Sequence, residues 1–170
     1  MSFFIRQVKI REFTIEKNFK PVYTLKFPGW ITLNANVQFS DGIMKISKKN
    51  FWKSEFTIIK NDQPIGKITA NWRGHLFIHL LDLSGFVPSN LEEEGYKKYK
   101  FKSRGIFKPR YELSQKNDPQ PLITLQTTGN WLKPDYQVTL NHTEPIDFPL
   151  SLLIGILIFG TVVIRARQSR

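Results

Sequence analysis

The chain has 170 residues and a mass of 19.9 kDa, the size of one domain with a substantial buried core. Hydrophobic residues make up 41% and charged residues 23%, which excludes a disordered polymer and a protein embedded in lipid along its whole length. The 25 basic and 14 acidic residues give a net charge of +11, which favours an anionic partner: phospholipid headgroups, nucleic acid or an acidic protein surface.

The chain contains no cysteine and therefore forms no disulfide and no zinc site of the cysteine type. A cysteine-free sequence suits a reducing compartment. The start, "MSFFIRQVKIREF", scatters basic residues among apolar ones and lacks the continuous apolar core of a secretory signal. We therefore expect a cytoplasmic protein.

Short segments with alternating apolar and polar residues fill the first 145 residues and predict β-strands. They begin with "FIRQVKI" and continue with "ITLNANVQF", "KSEFTIIK", "GKITANW", "HLFIHLLDL", "YKFKS", "RYELS", "PLITLQT" and "YQVTL". Turn-forming residues separate them, such as "DG" at 41 and "SRG" at 103. "SNLEEEG" at 89–95 is predicted as a loop or one helical turn, and no amphipathic helix is expected before residue 146.

Two stretches of the chain resemble each other. "KKNFWKSEFTIIKND-QPIGKITANWRG" aligns with "SRGIFKPRYELSQKNDPQPLITLQTTGN", so that Phe56 meets Tyr111 and Ile58 meets Leu113. Two related β-meanders favour a closed barrel or a sandwich built from similar halves. The alternative is a chance match of two generic hairpins, because all hairpins share alternation and polar turns.

The chain ends in "DFPLSLLIGILIFGTVVIRARQSR", in which residues 148–164 carry no charge. A helix that is apolar all round lies either in lipid or at the centre of a protein. Seventeen residues rising 1.5 Å each span about 25 Å, slightly less than the ~30 Å hydrocarbon thickness of a bilayer. If this helix crossed a membrane with its arginines in the cytoplasm, the β-domain would need export without a recognisable signal.

An apolar helix also suits the lumen of a barrel that its own side chains do not fill. We therefore predict a mainly β fold, a closed antiparallel β-barrel of two related halves around a buried hydrophobic C-terminal α-helix. The expected organisation is a single domain over residues 1–165, with its central helix at 147–164 and a basic tail at 166–170. The alternative is a membrane-anchored β-domain whose helix 148–164 spans the bilayer.

A β-rich chain in two related halves that ends in "IDFPLSLLIGILIFGTVVI" resembles the tubby C-terminal-like superfamily, which includes tubby domains, phospholipid scramblases and LURP-one-related proteins. The resemblance covers nearly the whole chain and implies a twelve-stranded barrel around a hydrophobic C-terminal helix. "FPLSLLIGI" is similar to the scramblase segment that carries proposed calcium ligands. Ser151 and Leu153 occupy the matching positions here and only Asp147 is acidic, so the resemblance does not extend a calcium site to this chain.

No arrangement of residues in the sequence predicts catalysis. His75 and His79 would lie about 13 Å apart on one face of a strand, too far to share a metal. Glu92, Glu93 and Glu94 are consecutive, as in a solvated loop, and no nucleophile elbow or phosphate-binding loop occurs. We expect a non-enzymatic protein with no cofactor and no metal.

The most basic part of the chain is residues 96–116, with eight Lys or Arg residues and one acid. Alternation in "KYKFK" places its lysines on one side of a strand and its aromatic residues on the other. Such lysines either protect the outside of a barrel strand from unwanted pairing or bind anionic headgroups. The predicted lipid- or anion-binding residues are Lys48, Lys49, Lys53, Lys98, Lys100, Lys102, Arg104 and Lys108.

Together these features predict a binding module of tubby-like or scramblase-like type. We expect it to associate with anionic membrane lipids or an acidic protein partner, in the cytoplasm and peripherally at the membrane. Nucleic acid is a less favoured partner, because binding of single strands needs exposed aromatic residues and the aromatic residues of "KYKFK" are predicted to face inward.

Overall fold

A computed structural model describes residues 3–27, 34–39, 42–48, 54–71, 73–81, 96–105, 108–130, 132–141 and 150–168. These residues form twelve β-strands and one α-helix. The strands are β1 (Phe3–Lys9), β2 (Glu12–Lys17), β3 (Lys20–Lys26), β4 (Ala35–Phe39), β5 (Gly42–Lys48), β6 (Glu55–Lys60), β7 (Gln63–Ala70), β8 (Leu76–Leu81), β9 (Tyr96–Arg104), β10 (Arg110–Gln115), β11 (Pro121–Thr127) and β12 (Tyr136–Leu140). The helix is α1 (Leu150–Gln168).

The strands form a closed antiparallel barrel in which each strand pairs with its neighbours in sequence. Closure comes from the pairing of β1 with β12, where Phe3 lies opposite Val138. Closing the sheet leaves no unpaired edge, which removes the template for aggregation that an open edge would offer. The predicted closed antiparallel barrel is confirmed.

Alternation along the strands separates the core from the surface. In β2, the side chains of Phe13 and Ile15 are buried in the core. The side chain of Glu16 is half-buried and lies on the outer face of the strand. The same period of two repeats around the barrel, so its inner wall is formed by aliphatic and aromatic side chains.

The helix α1 fills this lumen. Its buried residues run from Leu152 to Ile164 with the one exception of Val162, and so cover every side of the helix. The ring of Phe159 packs against Phe27 and Phe56 at centroid distances of 6.1 and 5.0 Å. The helix has small residues where the strands come closest to it. At Gly160, for example, a Cβ atom would lie 2.9 Å from the ring of Phe101 in β9.

The predicted buried C-terminal helix is therefore confirmed. It extends to Gln168, four residues beyond its predicted end, and its expected first residues, 147–149, lie outside the described residues. The helix is also long and apolar enough to cross a membrane, with a mean hydropathy of 1.9, and 67% of that stretch is buried inside the protein. Core helices of soluble proteins share this length and composition, so hydropathy does not distinguish the two settings.

The two hairpins that align in sequence also share a structural detail. The hairpins β6–β7 and β10–β11 each contain a bulge, after Ile58 in the first and after Leu113 in the second. These two residues are aligned in the sequence comparison, so the similarity extends to strand register.

A third hairpin, β2–β3, belongs to the same group. "EFTIEKNFKP" at 12–21 and "EFTIIKNDQP" at 55–64 share seven of ten residues, and β2–β3 has its bulge after Ile15 at the matching position. The two central turn residues have positive φ in both, 50° and 64° in one and 50° and 62° in the other. The three hairpins start at β2, β6 and β10, four strands apart around the barrel.

Because neighbouring strands run in opposite directions, alternate connections lie at opposite ends of the barrel. We call the end where α1 finishes the exit end; there Arg167 Nη1 donates a hydrogen bond to the Asn71 carbonyl between β7 and β8 (3.2 Å). The connections β1–β2, β3–β4, β5–β6, β7–β8, β9–β10 and β11–β12 join strands at this end. The remaining connections, including β12–α1, join elements at the opposite end, the entry end.

Candidate anion-binding surface

Strand β9 places its lysines on the outside of the barrel. Tyr99 and Phe101 are 3% and 0% exposed and point into the core, whereas Lys98, Lys100 and Lys102 are only half-buried. The predicted alternation of "KYKFK" is therefore present. It arises because the pleat of the strand sends successive side chains to opposite faces.

Two of the predicted cations are held by a carboxylate of the same protein. Glu112 lies opposite Lys102 in the β9–β10 ladder, and its carboxylate is 3.6 Å from Lys102 Nζ. Arg104 Nε donates a 2.8 Å hydrogen bond to the same carboxylate, and Arg110 Nη2 lies 2.7 Å from its other oxygen. The alternation pattern gives no sign of this cluster, which forms only when β9 and β10 pair.

The electrostatics of the cluster keep Glu112 ionised. Burial alone would raise the pKa of its carboxyl group, but the Arg104 hydrogen bond and the charges of Arg104, Arg110 and Lys102 outweigh it. The pKa of Glu112 is therefore lowered below its ordinary value. A single negative charge shared by three cations leaves the cluster positive.

His75, just before β8, lies in the same positive field. Burial lowers the pKa of its imidazole, and the charges of Lys100, Lys102 and Arg73 lower it further. Each of these three cations disfavours a further positive charge, so His75 favours its neutral form.

These residues define one surface at the exit end, which we call the basic patch: Arg73, Lys100, Lys102, Arg104, Lys108 and Arg110. Six cations against Glu112 give it a net charge of +5. Lys100 and Lys108 make no ion pair with any carboxylate in the described part of the chain. Two cations near β1 and β2, in contrast, each form an ion pair: Arg6 lies 3.3 Å from Glu16 and Lys9 lies 3.7 Å from Glu12.

The other predicted lysines do not all lie in the basic patch. Lys48, the last residue of β5, also lies at the exit end, and its backbone N–H donates to Asn34 Oδ1 (3.1 Å). Lys49 and Lys53 follow it in sequence and lie outside the described residues. Lys98 lies towards the entry end and is therefore separated from the basic patch along β9.

Lys98 lines a groove of about 380 Å³ near the entry end. Lys97 and Lys116 line it too, together with Tyr99, Gln115 and Asn117. A backbone hydrogen bond from Lys116 N to the Lys98 carbonyl (3.0 Å) brings the two strands together there. Sequence reasoning missed Lys97 and Lys116 as groove residues because only the register of β9 against β10 places them side by side.

The residues considered for catalysis form no such cluster. In the described part of the chain, no three His, Asp or Glu side chains lie close enough together to hold a metal ion. Glu92, Glu93 and Glu94 are outside the described residues. A small cavity of about 20 Å³ beside Tyr111, Tyr136 and Arg165 has room for roughly one water molecule.

Comparison with known proteins adds no assignment: no protein-family model, no curated protein and no solved structure matches the chain.

Proposed function

We propose that the protein is a non-enzymatic binding module that associates with anionic phospholipid surfaces through the basic patch. The observation that carries this proposal is the concentration of positive charge at the exit end, where the basic patch holds six cations and a single carboxylate, Glu112, which contacts three of them. Retaining like charges side by side costs stability, so a surface of this kind is favoured where an external anion offsets the repulsion.

The charge of the patch is enough for measurable binding. Each basic residue near an anionic bilayer contributes about 1 kcal/mol, so a net charge of a few units gives weak but specific attraction to the membrane. Attraction of this kind is screened by salt, with a Debye length of about 10 Å at 0.1 M. Binding should therefore fall steeply as the ionic strength rises.

The family assignment is part of the same proposal. A twelve-stranded barrel closed around an apolar C-terminal helix supports membership of the tubby C-terminal-like superfamily, which the sequence resembles. The proposed location is the cytoplasm, with the protein held peripherally at the membrane. An acidic protein would satisfy the same charge, and it is the alternative partner.

The test is cosedimentation with vesicles of phosphatidylcholine alone and with added phosphatidylserine. Lys100→Glu with Lys108→Glu should weaken binding to the anionic vesicles by roughly 10–100-fold, since two attractive charges become repulsive. Both side chains make no ion pair with described carboxylates, so their reversal leaves the cluster around Glu112 intact.

The matched control reverses two exposed lysines elsewhere, Lys20→Glu with Lys45→Glu, and makes the same change in net charge. Equal weakening by both pairs would show that net charge alone governs binding. Failure of the unaltered protein to bind anionic vesicles would remove the lipid function and leave an acidic protein as the partner.

The alternative is a domain anchored by a bilayer-spanning α1, a helix that is long and apolar enough to cross a membrane. Washing membranes with high salt or carbonate separates the two. A peripheral barrel is released because its attraction is electrostatic, whereas a spanning helix remains in the pellet.

A further inference from the structure

An exposed apolar patch lies at the exit end of the barrel. Ile10 in the β1–β2 turn is 76% exposed and Leu132 in the β11–β12 connection is 85% exposed, and Val8 nearby is also exposed. Both Ile10 and Leu132 line one groove of about 280 Å³. Gln7 N donates a hydrogen bond to Asp135 Oδ1 (3.0 Å), which ties the end of β1 to the β11–β12 connection. We call Val8, Ile10 and Leu132 the apolar patch.

Three cations lie next to residues of this patch in space or in sequence. Arg165, from the last turns of α1, lines the same groove, and Arg11 and Lys133 are the chain neighbours of Ile10 and Leu132. A single exposed aliphatic residue needs no explanation, but Ile10 and Leu132 share one groove, and apolar residues exposed together mark a contact surface. Aliphatic residues ringed by Lys and Arg are the composition of segments that lie in the interface of anionic membranes.

The described residues of the connections differ in charge between the two ends. Those at the exit end include one acid, Asp135, and four basic residues: Arg11, Arg73, Lys108 and Lys133. Those at the entry end include one basic residue, Lys116, and two acids, Asp62 and Asp118.

We infer that the exit end docks onto an anionic bilayer, with Ile10 and Leu132 inserted at the level of the headgroups and the entry end directed into the cytoplasm. The inference rests on the proposed lipid function and adds the end of the barrel that faces the membrane. Exposed Phe19 and Ile43 give the entry end apolar surface as well. The described part of its connections, however, carries two acids and one basic residue, whereas that of the exit end carries four basic residues and one acid and is the more strongly attracted to anionic headgroups.

The absence of cysteine permits a direct measurement, because one introduced thiol is the only labelling site. Leu132→Cys and, as the matched control at the entry end, Phe19→Cys would each carry an environment-sensitive nitrobenzoxadiazole label. Phosphatidylserine vesicles should shift the emission of the label at 132 to shorter wavelength and increase its intensity. The label at 19, a position that is 70% exposed, should not respond.

A second measurement needs no label. Ile10→Ser with Leu132→Ser should weaken binding to the same vesicles by at least tenfold, because two inserted aliphatic side chains are lost. Phe19→Ser with Ile43→Ser removes two exposed apolar side chains from the entry end and should leave affinity unchanged. Thermal unfolding of both pairs controls for damage to the fold.

The outcomes separate the inference from the function on which it rests. If the unaltered protein binds no anionic vesicles, the proposed function fails. If it binds, while the label at 132 does not respond or the entry-end pair is the one that weakens binding, the docking orientation is overturned and the lipid function stands. A response at 132 that depends on protein concentration without vesicles would assign the patch to a second copy of the chain and would also overturn the inference.

Discussion

Glu112 connects the stability of the barrel with the charge of its proposed binding surface. Its carboxylate is buried and contacts Lys102, Arg104 and Arg110. The pKa of Glu112 is lower in the folded protein than in the unfolded chain. Its stabilising contribution is therefore present above the pKa of the unfolded chain and is lost as the pH falls through the lower pKa of the folded protein. The same negative charge reduces the attraction of the patch for anions.

Glu112→Gln should therefore lower stability and strengthen binding. Loss of the charge-assisted hydrogen bonds should destabilise the protein by about 1–2 kcal/mol at neutral pH, which is a decrease in Tm of roughly 2–8 °C. The decline of Tm between neutral and acid pH should become shallower, because one titrating carboxylate is gone. Affinity for anionic vesicles should rise, since the patch gains one net positive charge.

Glu16→Gln is the matched control, because its partner Arg6 is largely exposed and exposed ion pairs contribute little. Differential scanning calorimetry over a pH series and vesicle cosedimentation measure the two effects. Weaker vesicle binding by Glu112→Gln at a temperature where it is folded would contradict the role given to the patch.

The residues of the patch show which part of a site an alternating pattern predicts. The pattern predicts that Lys100 and Lys102 face outward, since direction follows from the pleat. It does not predict that Lys102 is held by Glu112, because that contact depends on the register of β9 against β10. Register is set by turns and by packing between strands, so charge partners across a ladder were not predictable from composition.

The repeated hairpins were predictable only in part. The aligned pair β6–β7 and β10–β11 was recognised from its polar turns and aromatic positions. The closer match between β2–β3 and β6–β7 was overlooked, although "EFTI", "KN" and the following proline recur at the same spacing. A two-residue turn with two positive φ values favours asparagine at its first position, which explains why Asn18 and Asn61 both occur there.

The turn of β6–β7 gives a prediction about local conformation. Asp62 has a φ of 62°, a region that glycine enters without steric cost. Asp62→Gly creates the Asn-Gly pair preferred in such turns and should stabilise the protein by about 0.5–1 kcal/mol, or roughly 1–4 °C in Tm.

Asp118→Gly in the β10–β11 connection is the matched control. Asp118 has no positive φ, and its Oδ1 accepts a hydrogen bond from Gln120 N (2.8 Å). This substitution should lower Tm, because a turn hydrogen bond is lost and glycine makes the unfolded chain more flexible. Thermal unfolding followed by circular dichroism measures both variants, and a decrease in Tm for Asp62→Gly would contradict the turn assignment.

Connections can be assigned to the correct end of the barrel only when every strand has been counted. Adjacent strands are antiparallel, so one missed strand assigns every later connection to the wrong end. The sequence patterns predicted neither β2, β3 nor β5 as separate strands, which hid the difference in charge between the connections at the two ends.

The closed barrel and the apolar helix stabilise each other, and this dependence follows from volume. Twelve strands enclose more space than their own side chains fill, and α1 occupies that space with residues such as Ile156 and Leu157, both 0% exposed. The sequence predicted this arrangement because an all-round apolar helix and a set of one-sided strands each leave apolar surface uncovered. Neither the helix nor the set of strands can keep its apolar surface out of water without the other.

Substitutions at Ile156 distinguish a helix inside the barrel from one that crosses a bilayer. Ile156→Ala should destabilise the soluble domain by about 2–5 kcal/mol, because it leaves a cavity in a close-packed core. Ile156→Arg should prevent cooperative folding, since an unpaired buried charge costs several kcal/mol against a total stability of about 5–15 kcal/mol. Gln168→Arg at the exposed end of the same helix adds the same charge and should leave Tm nearly unchanged.

Denaturant unfolding and near-ultraviolet circular dichroism measure these effects. For a helix that spans the bilayer, both substitutions at Ile156 would change membrane insertion and leave the unfolding of the β-domain unaltered. A soluble Ile156→Arg variant that unfolds cooperatively at the normal denaturant concentration would therefore show that the barrel closes without the helix at its centre. A moderate loss of stability for Ile156→Ala and a loss of cooperative folding for Ile156→Arg, with the stability of Gln168→Arg unchanged, would locate the stabilising contact in the lumen.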